Sequence, residues 1–237
     1  MSNSERNIGK SLGKQFENHN LLPQKLELED YGFAIKKLIE DKNLSVMNEN
    51  GKMKKVPVIY TQKEKWAERK IDWSDMRSEL GEEITKPFIA IYRTGVKKGT
   101  SPLKFTIPNK KKFTFVKLPI FDGTLKGYEL YKIPQPVYVD IEFEVRFIGH
   151  YMQDVDDFYE MILEETFSDQ QAYMVVNGYN IAAKIGESSS EDKMSEVSSE
   201  RTFEVVFPVT VLGKLIDSSK FEKVNTIKKI SIKITEK

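Results

Sequence analysis

Cysteine is absent from this 237-residue chain. That excludes disulfide frameworks, thiolate zinc sites, iron–sulfur clusters and cysteine nucleophiles. Histidine is nearly missing too: the chain has His19, in a polar leader, and His150, at the end of a strand, and they do not form an obvious pair. No apolar run approaches the roughly 18 residues needed to span a bilayer. The first twenty residues also lack the apolar centre of a signal peptide, so folding is expected in the cytoplasm with no membrane partner. Charge of one sign is lacking as well. With 37 basic and 36 acidic residues the net charge is +1, unlike a polycation built to coat nucleic acid. There is no nucleophile elbow, phosphate-cradling glycine loop or zinc-protease helix motif.

What the chain does have is apolar surface and patterned charge. Hydrophobic residues make up 39%, with fourteen Phe and ten Tyr, enough for a substantial core. The near-neutral total conceals two opposed blocks. Phe88 to Pro136 carries ten basic residues against two acids, net +8, whereas Val137 to Glu200 carries three against fifteen, net −12.

Periodicity gives a coarse map. Residues 1–24 are polar and aperiodic and read as a flexible arm. A helix is expected over Asp30–Lys42, with Asp30 as N-cap and Ala34, Ile35, Leu38 and Ile39 inward. Strands Leu44–Met47 and Lys55–Thr61 flank a turn at Asn50-Gly51, and Lys63–Lys70 reads as a short helix before Trp73. Phe88–Thr94 reads as a strand, and Lys111–Ile120 with Leu125–Ile133 as a hairpin turned at Asp122-Gly123.

Val137–Ile148 alternates strictly: Val137, Val139, Ile141, Phe143, Val145 and Phe147 share one face, and Tyr138, Asp140, Glu142, Glu144 and Arg146 the other. A helix over Asp154–Phe167 should bury Val155, Phe158, Tyr159, Ile162 and Leu163. Tyr173–Val176 and Tyr179–Ile185 flank the hairpin turn Asn177-Gly178. Residues 187–199 read as a mobile acidic loop, and Arg201–Val211 as a strand in which Pro208 marks an edge or a bulge. A β-type segment over 227–234 ends the chain. The expected fold is α+β: a mostly antiparallel sheet with a central helix packed on it, plus a protruding basic β-hairpin excursion. The expected organisation is one domain over 25–237 with a basic insertion at about 96–132.

Three constellations could carry chemistry. His150 with Asp154, Asp156 and Asp157 could be drawn as a metal site, but acids spread over adjacent faces of one helix turn do not converge. Capping and solvation of a helix start explain them better, with Glu160 outward alongside. Glu142 and Glu144 sit about 7 Å apart on one strand face, a spacing a carboxylate hydrolase could use. Such pairs normally sit in a cleft with aromatic walls, and a solvated or subunit-facing strand explains them far better. Lys97, Lys98, Lys104, Lys110, Lys111, Lys112 and Lys117, interleaved with Phe113 and Phe115, resemble a nucleic-acid surface. They also suit a solvated basic arm, or an arm that contacts the acidic block of another subunit.

Four segments resemble the tail terminator proteins of contractile-tailed bacteriophages. They are KKVPVIYTQKEKW (Lys54 to Trp66), ITKPFIAIYRTG (Ile84 to Gly95), PQPVYVDIEFEVRFIGHYMQDVDDFYEMILEETF (Pro134 to Phe167) and RTFEVVFPVTVLGKL (Arg201 to Leu215). The third is the most specific: a Pro-preceded long strand, an acidic turn, then a helix leading into a hairpin. The basic excursion is longer than the family pattern, and the section before Lys54 has no counterpart.

The resemblance implies a structural, non-enzymatic virion protein without cofactor or metal. It would form a hexameric ring that caps the tail tube and meets the head connector, in the neck of the virion, after assembly in the host cytoplasm. Its partners would be itself, the tail tube protein, the head-connector or neck proteins and, in sheathed phages, the last sheath ring. Genomic DNA would pass through the lumen without sequence-specific binding. The candidate contacts are Lys97, Lys98, Lys110, Lys111, Lys112, Lys117, Glu142, Glu144, Asp154, Asp156, Asp157 and Glu160. The alternative function is a DNA-binding accessory protein using the 96–132 excursion.

Overall fold

The computed structural model describes residues 22–47, 51, 53–61, 86–99, 113–122, 124–194 and 201–224. In chain order the helices are α1 (Leu28–Glu40) and α2 (Met152–Glu160), the latter continued by a π-helical turn, Met161–Thr166. The strands are β1 (Ser45–Met47), β2 (Met53–Lys55), β3 (Val58–Thr61), β4 (Phe88–Lys98), β5 (Phe113–Asp122) and β6 (Thr124–Pro134). They continue with β7 (Val137–Gly149), β8 (Gln171–Val176), β9 (Tyr179–Ile185), β10 (Ser189–Met194), β11 (Arg201–Leu215) and β12 (Glu222–Val224).

The chain divides into two compact units. One comprises Leu26–Lys104 and Tyr138–Leu215, and the other Met1–Lys25, Phe105–Val137 and Ile216–Lys237. The first holds a seven-stranded sheet ordered β3-β4-β7-β11-β9-β8, with β10 also paired to β11. The second holds a three-stranded sheet ordered β12-β6-β5, so the hairpin read as an insertion gains a third strand from Glu222–Val224.

The expected fold class is overturned: the fold is mostly β, with two helices and a curled, mixed sheet rather than a central helix on an antiparallel one. Part of the reason is strand length. β4 and β11 each run four residues beyond their expected ends, because the ladder continues after apolar alternation fades. Part is the acidic stretch read as a loop, in which Ser189–Met194 pairs antiparallel with Arg201–Val206. Backbone groups at a sheet margin pair whatever their side chains are. The sheet is mixed because β3 runs parallel to β4. The strand expected over Lys55–Thr61 is in fact two, separated at Val56-Pro57: β2 closes a hairpin with β1, and β3 joins the large sheet.

Both helices cover one face of the large sheet. There β7 contributes Val139, Ile141, Phe143, Val145 and Phe147, and β11 contributes Val205, Phe207, Val209 and Val211, all buried. Val137, read as inward, is exposed at the strand's start. Phe158 of α2 stacks on Phe147 at 5.0 Å between ring centroids and meets Phe207 edge-on at 5.8 Å. From α1, Tyr31, Ile35 and Ile39 are buried. The Tyr31 hydroxyl donates to the Lys214 carbonyl (2.5 Å) and accepts from the Lys214 amide (2.8 Å), tying the helix to β11. Gly32 is needed for close approach, since a Cβ there would lie 2.3 Å from the Tyr60 ring on β3.

Local corrections have local causes. α1 begins two residues early, because Glu27 is the N-cap and Asp30 stands three residues into the helix. The Asp30 carboxylate accepts from the Glu27 amide at 2.7 Å, one half of a reciprocal capping box. Leu163, expected inside, is 45% exposed. The Phe167 amide reaches back to the Ile162 carbonyl at 2.9 Å, and this wider turn rotates Leu163 outward while Phe167 stays buried. Pro208 is not on an edge. It lies where β11 changes partner from β10 (through Val206) to β9 (from Val209), and its carbonyl accepts from the Gly186 amide at 2.8 Å. The turn Asn177-Gly178 is as expected, with φ of 46° and 81°. The readings over 1–21, 63–70, Trp73 and 227–234 lie outside the described residues.

Phe158→Ala should destabilise the protein by about 3–5 kcal/mol, since it empties the junction of Phe147 and Phe207. Urea unfolding checks this, and a loss under about 1 kcal/mol would mean that the helix does not anchor the sheet.

Candidate functional site

The other face of β7 carries charge, and the structure shows how it is balanced. A bulge in β4 between Arg93 and Gly95 brings Gly95 opposite Glu142. Two residues on, the Lys97 ammonium lies 2.5 Å from the Glu142 carboxylate. Next along the strand, Arg146 donates to Glu144 from Nη2 (2.8 Å) and Nε (3.1 Å). Its Nη1 reaches Glu204 of β11, which is buried. The Tyr92 hydroxyl donates to Glu144, and the guanidinium lies over the Tyr92 ring, 5.3 Å from its centroid. Burial, then the bond to Glu144, pushes the Tyr92 phenol above its ordinary value, so it remains a neutral donor. Beyond this network, Phe88, Ala90, Tyr92 and Ile148 pack together with Ile59 beside them.

Glu142 and Glu144 are therefore each engaged by a cation rather than poised as an acid–base pair. Tyr92 and Glu204 complete the arrangement, and sequence reasoning missed both. The register that places Tyr92 opposite Glu144 is a long-range pairing invisible to local pattern.

The acids near α2 are spread out. Asp154 is buried, 5% exposed, which removes it from the surface contacts it was assigned to. Burial raises its carboxyl pKa, with Asp157 adding to the effect, and His150 and the Tyr151 amide opposing it. Asp157 accepts from the Gln153 side chain at 3.2 Å. Asp156 and Glu160 are exposed. Among the described residues no three His, Asp or Glu side chains are grouped to hold a metal.

Lys98 is exposed at the end of β4 and Lys117 on β5, whereas Lys104, Lys110, Lys111 and Lys112 lie outside the described residues. On the three-stranded sheet, Phe113, Phe115 and Lys117 share a face with Tyr128 and Lys132 of β6. Phe115 is 60% and Tyr128 51% exposed. Lys132 lies over the Phe113 ring at 4.1 Å and pairs with Glu222 at 2.9 Å. The opposite face carries Val116, Leu118, Tyr131 and the buried Ile133. The charge blocks seen in sequence follow the units only in part, since Arg93, Lys97, Lys98 and Lys104 of the basic block fall in the acidic unit. The unit with this sheet has sixteen basic and seven acidic residues, net +9, and the other twenty-one and twenty-nine, net −8.

A second apolar surface was also missed. On β8, Tyr173 and Val175 are 71% and 68% exposed, while Ala172, Met174 and Val176 are buried. A strand apolar on both faces was the available signal. No helix among the described residues is long and apolar enough to cross a membrane. No protein-family model matches the chain, and no curated protein matches it.

Arg146→Met would leave Glu144 and the buried Glu204 facing each other without their shared cation. It should cost about 3 kcal/mol of stability at neutral pH, and adding Glu204→Leu should return much of that. Denaturant titration of the two variants checks it; a single variant as stable as wild type would show that the guanidinium neutralises nothing.

Proposed function

We propose that this chain is a structural subunit of a bacteriophage tail terminator, a ring of identical copies that caps the tail tube and joins it to the head connector. The observation that carries this is the division of the chain into two units of opposite net charge, each with exposed apolar side chains. Such surfaces suit a subunit that meets its neighbours through two different patches, the geometry from which closed rings are built. The ordered likeness of four segments to tail terminators is what favours this kind of ring. Glu142 and Glu144, the most plausible acid–base pair by spacing, are occupied by Lys97 and Arg146, which favours a structural part over a hydrolase. Closure of the ring would stop tube growth because its upper surface no longer repeats the docking face of the tube.

A second reading has its own observation. Phe113, Phe115 and Tyr128 beside Lys117 on an exposed sheet face could stack nucleotides, as a DNA-binding accessory protein would require.

Two measurements separate them. Virions assembled without the protein should carry tails of irregular length or lack heads, and tails of normal, defined length would contradict the terminator. Lys110→Glu with Lys111→Glu should impair ring formation in the isolated protein without revealing DNA affinity. Salt-dependent DNA binding that these changes weaken would instead favour the second reading.

A further inference from the structure

Resting on the reading of the chain as a self-assembling subunit, a specific pair of surfaces can be assigned to the contact between copies. We infer that the outer stripe of α2 and its π turn in one copy docks on the Phe113–Phe115–Tyr128 face of the three-stranded sheet in the next. The stripe consists of Met152, Asp156, Glu160, Leu163 and Glu164, at successive helical spacings. Met152 is 55% and Leu163 45% exposed, large apolar groups at either end of an acidic centre. Asp156, Glu160 and Glu164 are exposed and make no ion pair among the described residues.

The sheet face is its counterpart in kind and opposite in charge. Phe113, Phe115 and Tyr128 offer aromatic surface, and Lys117 a cation at its margin. A three-stranded sheet gains independent stability from a helix laid on an apolar face. The helix fits within the strand: fifteen residues from Met152 to Thr166 make a cylinder of about 22 Å, and the ten-residue β5 extends about 33 Å. Met and Leu on aromatic rings, rimmed by carboxylate and ammonium groups, give an apolar centre with a polar border. The net charges of −8 and +9 on the two units would steer the approach. Because each copy owns one patch of each kind, the contact is head-to-tail, the kind from which a ring closes when the rotation between copies permits.

The absence of cysteine makes the test clean. Full-length Lys117→Cys and Glu160→Cys chains are mixed and mildly oxidised, and disulfide-linked species are separated by mass. The expected result is a heterodimer that dominates both homodimers, is lost when Phe115→Ala is added to the Lys117→Cys chain, and is not seen when Lys37→Cys replaces Lys117→Cys. A heterodimer no stronger than this control would overturn the assignment. If wild-type rings were nevertheless visible in negative stain, the terminator reading would survive without it. If the wild type stayed monomeric at high concentration and on tail tubes, both would fall. Retention of single-stranded DNA that depends on Phe115, with no cross-link, would assign the face to nucleic acid and overturn the inference.

Discussion

In β7, five apolar side chains on one face press the strand against two helices, while on the other Lys97 engages Glu142 and Arg146 engages Glu144 within the sheet. The rest of the larger unit follows from that constraint. Phe158 and Tyr31 fix the helices to the apolar side. β4 supplies Lys97 and Tyr92, and β11 supplies Glu204, to the charged side. Exposed pairs such as Lys97–Glu142 add little stability. The Arg146 cluster is different in kind, because its guanidinium bridges Glu144 and the buried Glu204, and removing one partner of a buried ion pair is costly.

Charge organises the chain at a second scale. The division into units separates a basic part built around a three-stranded sheet from an acidic part built around a seven-stranded one. Each unit also exposes large apolar side chains: Phe115 and Tyr128 in the basic one, Met152 and Leu163 in the acidic one.

Much of this was legible in the sequence, and the exceptions share a cause. Alternation over Val137–Ile148, the Asn177-Gly178 turn and the helical spacing of Val155, Phe158 and Ile162 are local signals, and each marks the correct element. The parallel pairing of β3 with β4 is not local, and nothing in VIYT announces it. The strand Ser189–Met194 is polar but for its last residue and owes its pairing to the backbone of β11. The π turn changes one side chain's direction, so Leu163 kept its periodicity and lost its burial. At the candidate site, the lysines and acids could be named from sequence. Their partners Tyr92 and Glu204 could not, because each is brought in from another strand by register. Asp154 was misplaced on the surface because an acid in a first helical turn is ordinarily solvated.

The most direct measurement of the proposed cap is to add the purified chain to polymerised phage tail tubes, assembled from tube protein of the same genome, and to locate it by gold-labelled antibody in the electron microscope. The expected result is label confined to one end of each tube, with no further growth from that end when free tube protein is supplied. Label scattered along the tubes, or absent from them while elongation continues at both ends, would contradict the proposed cap.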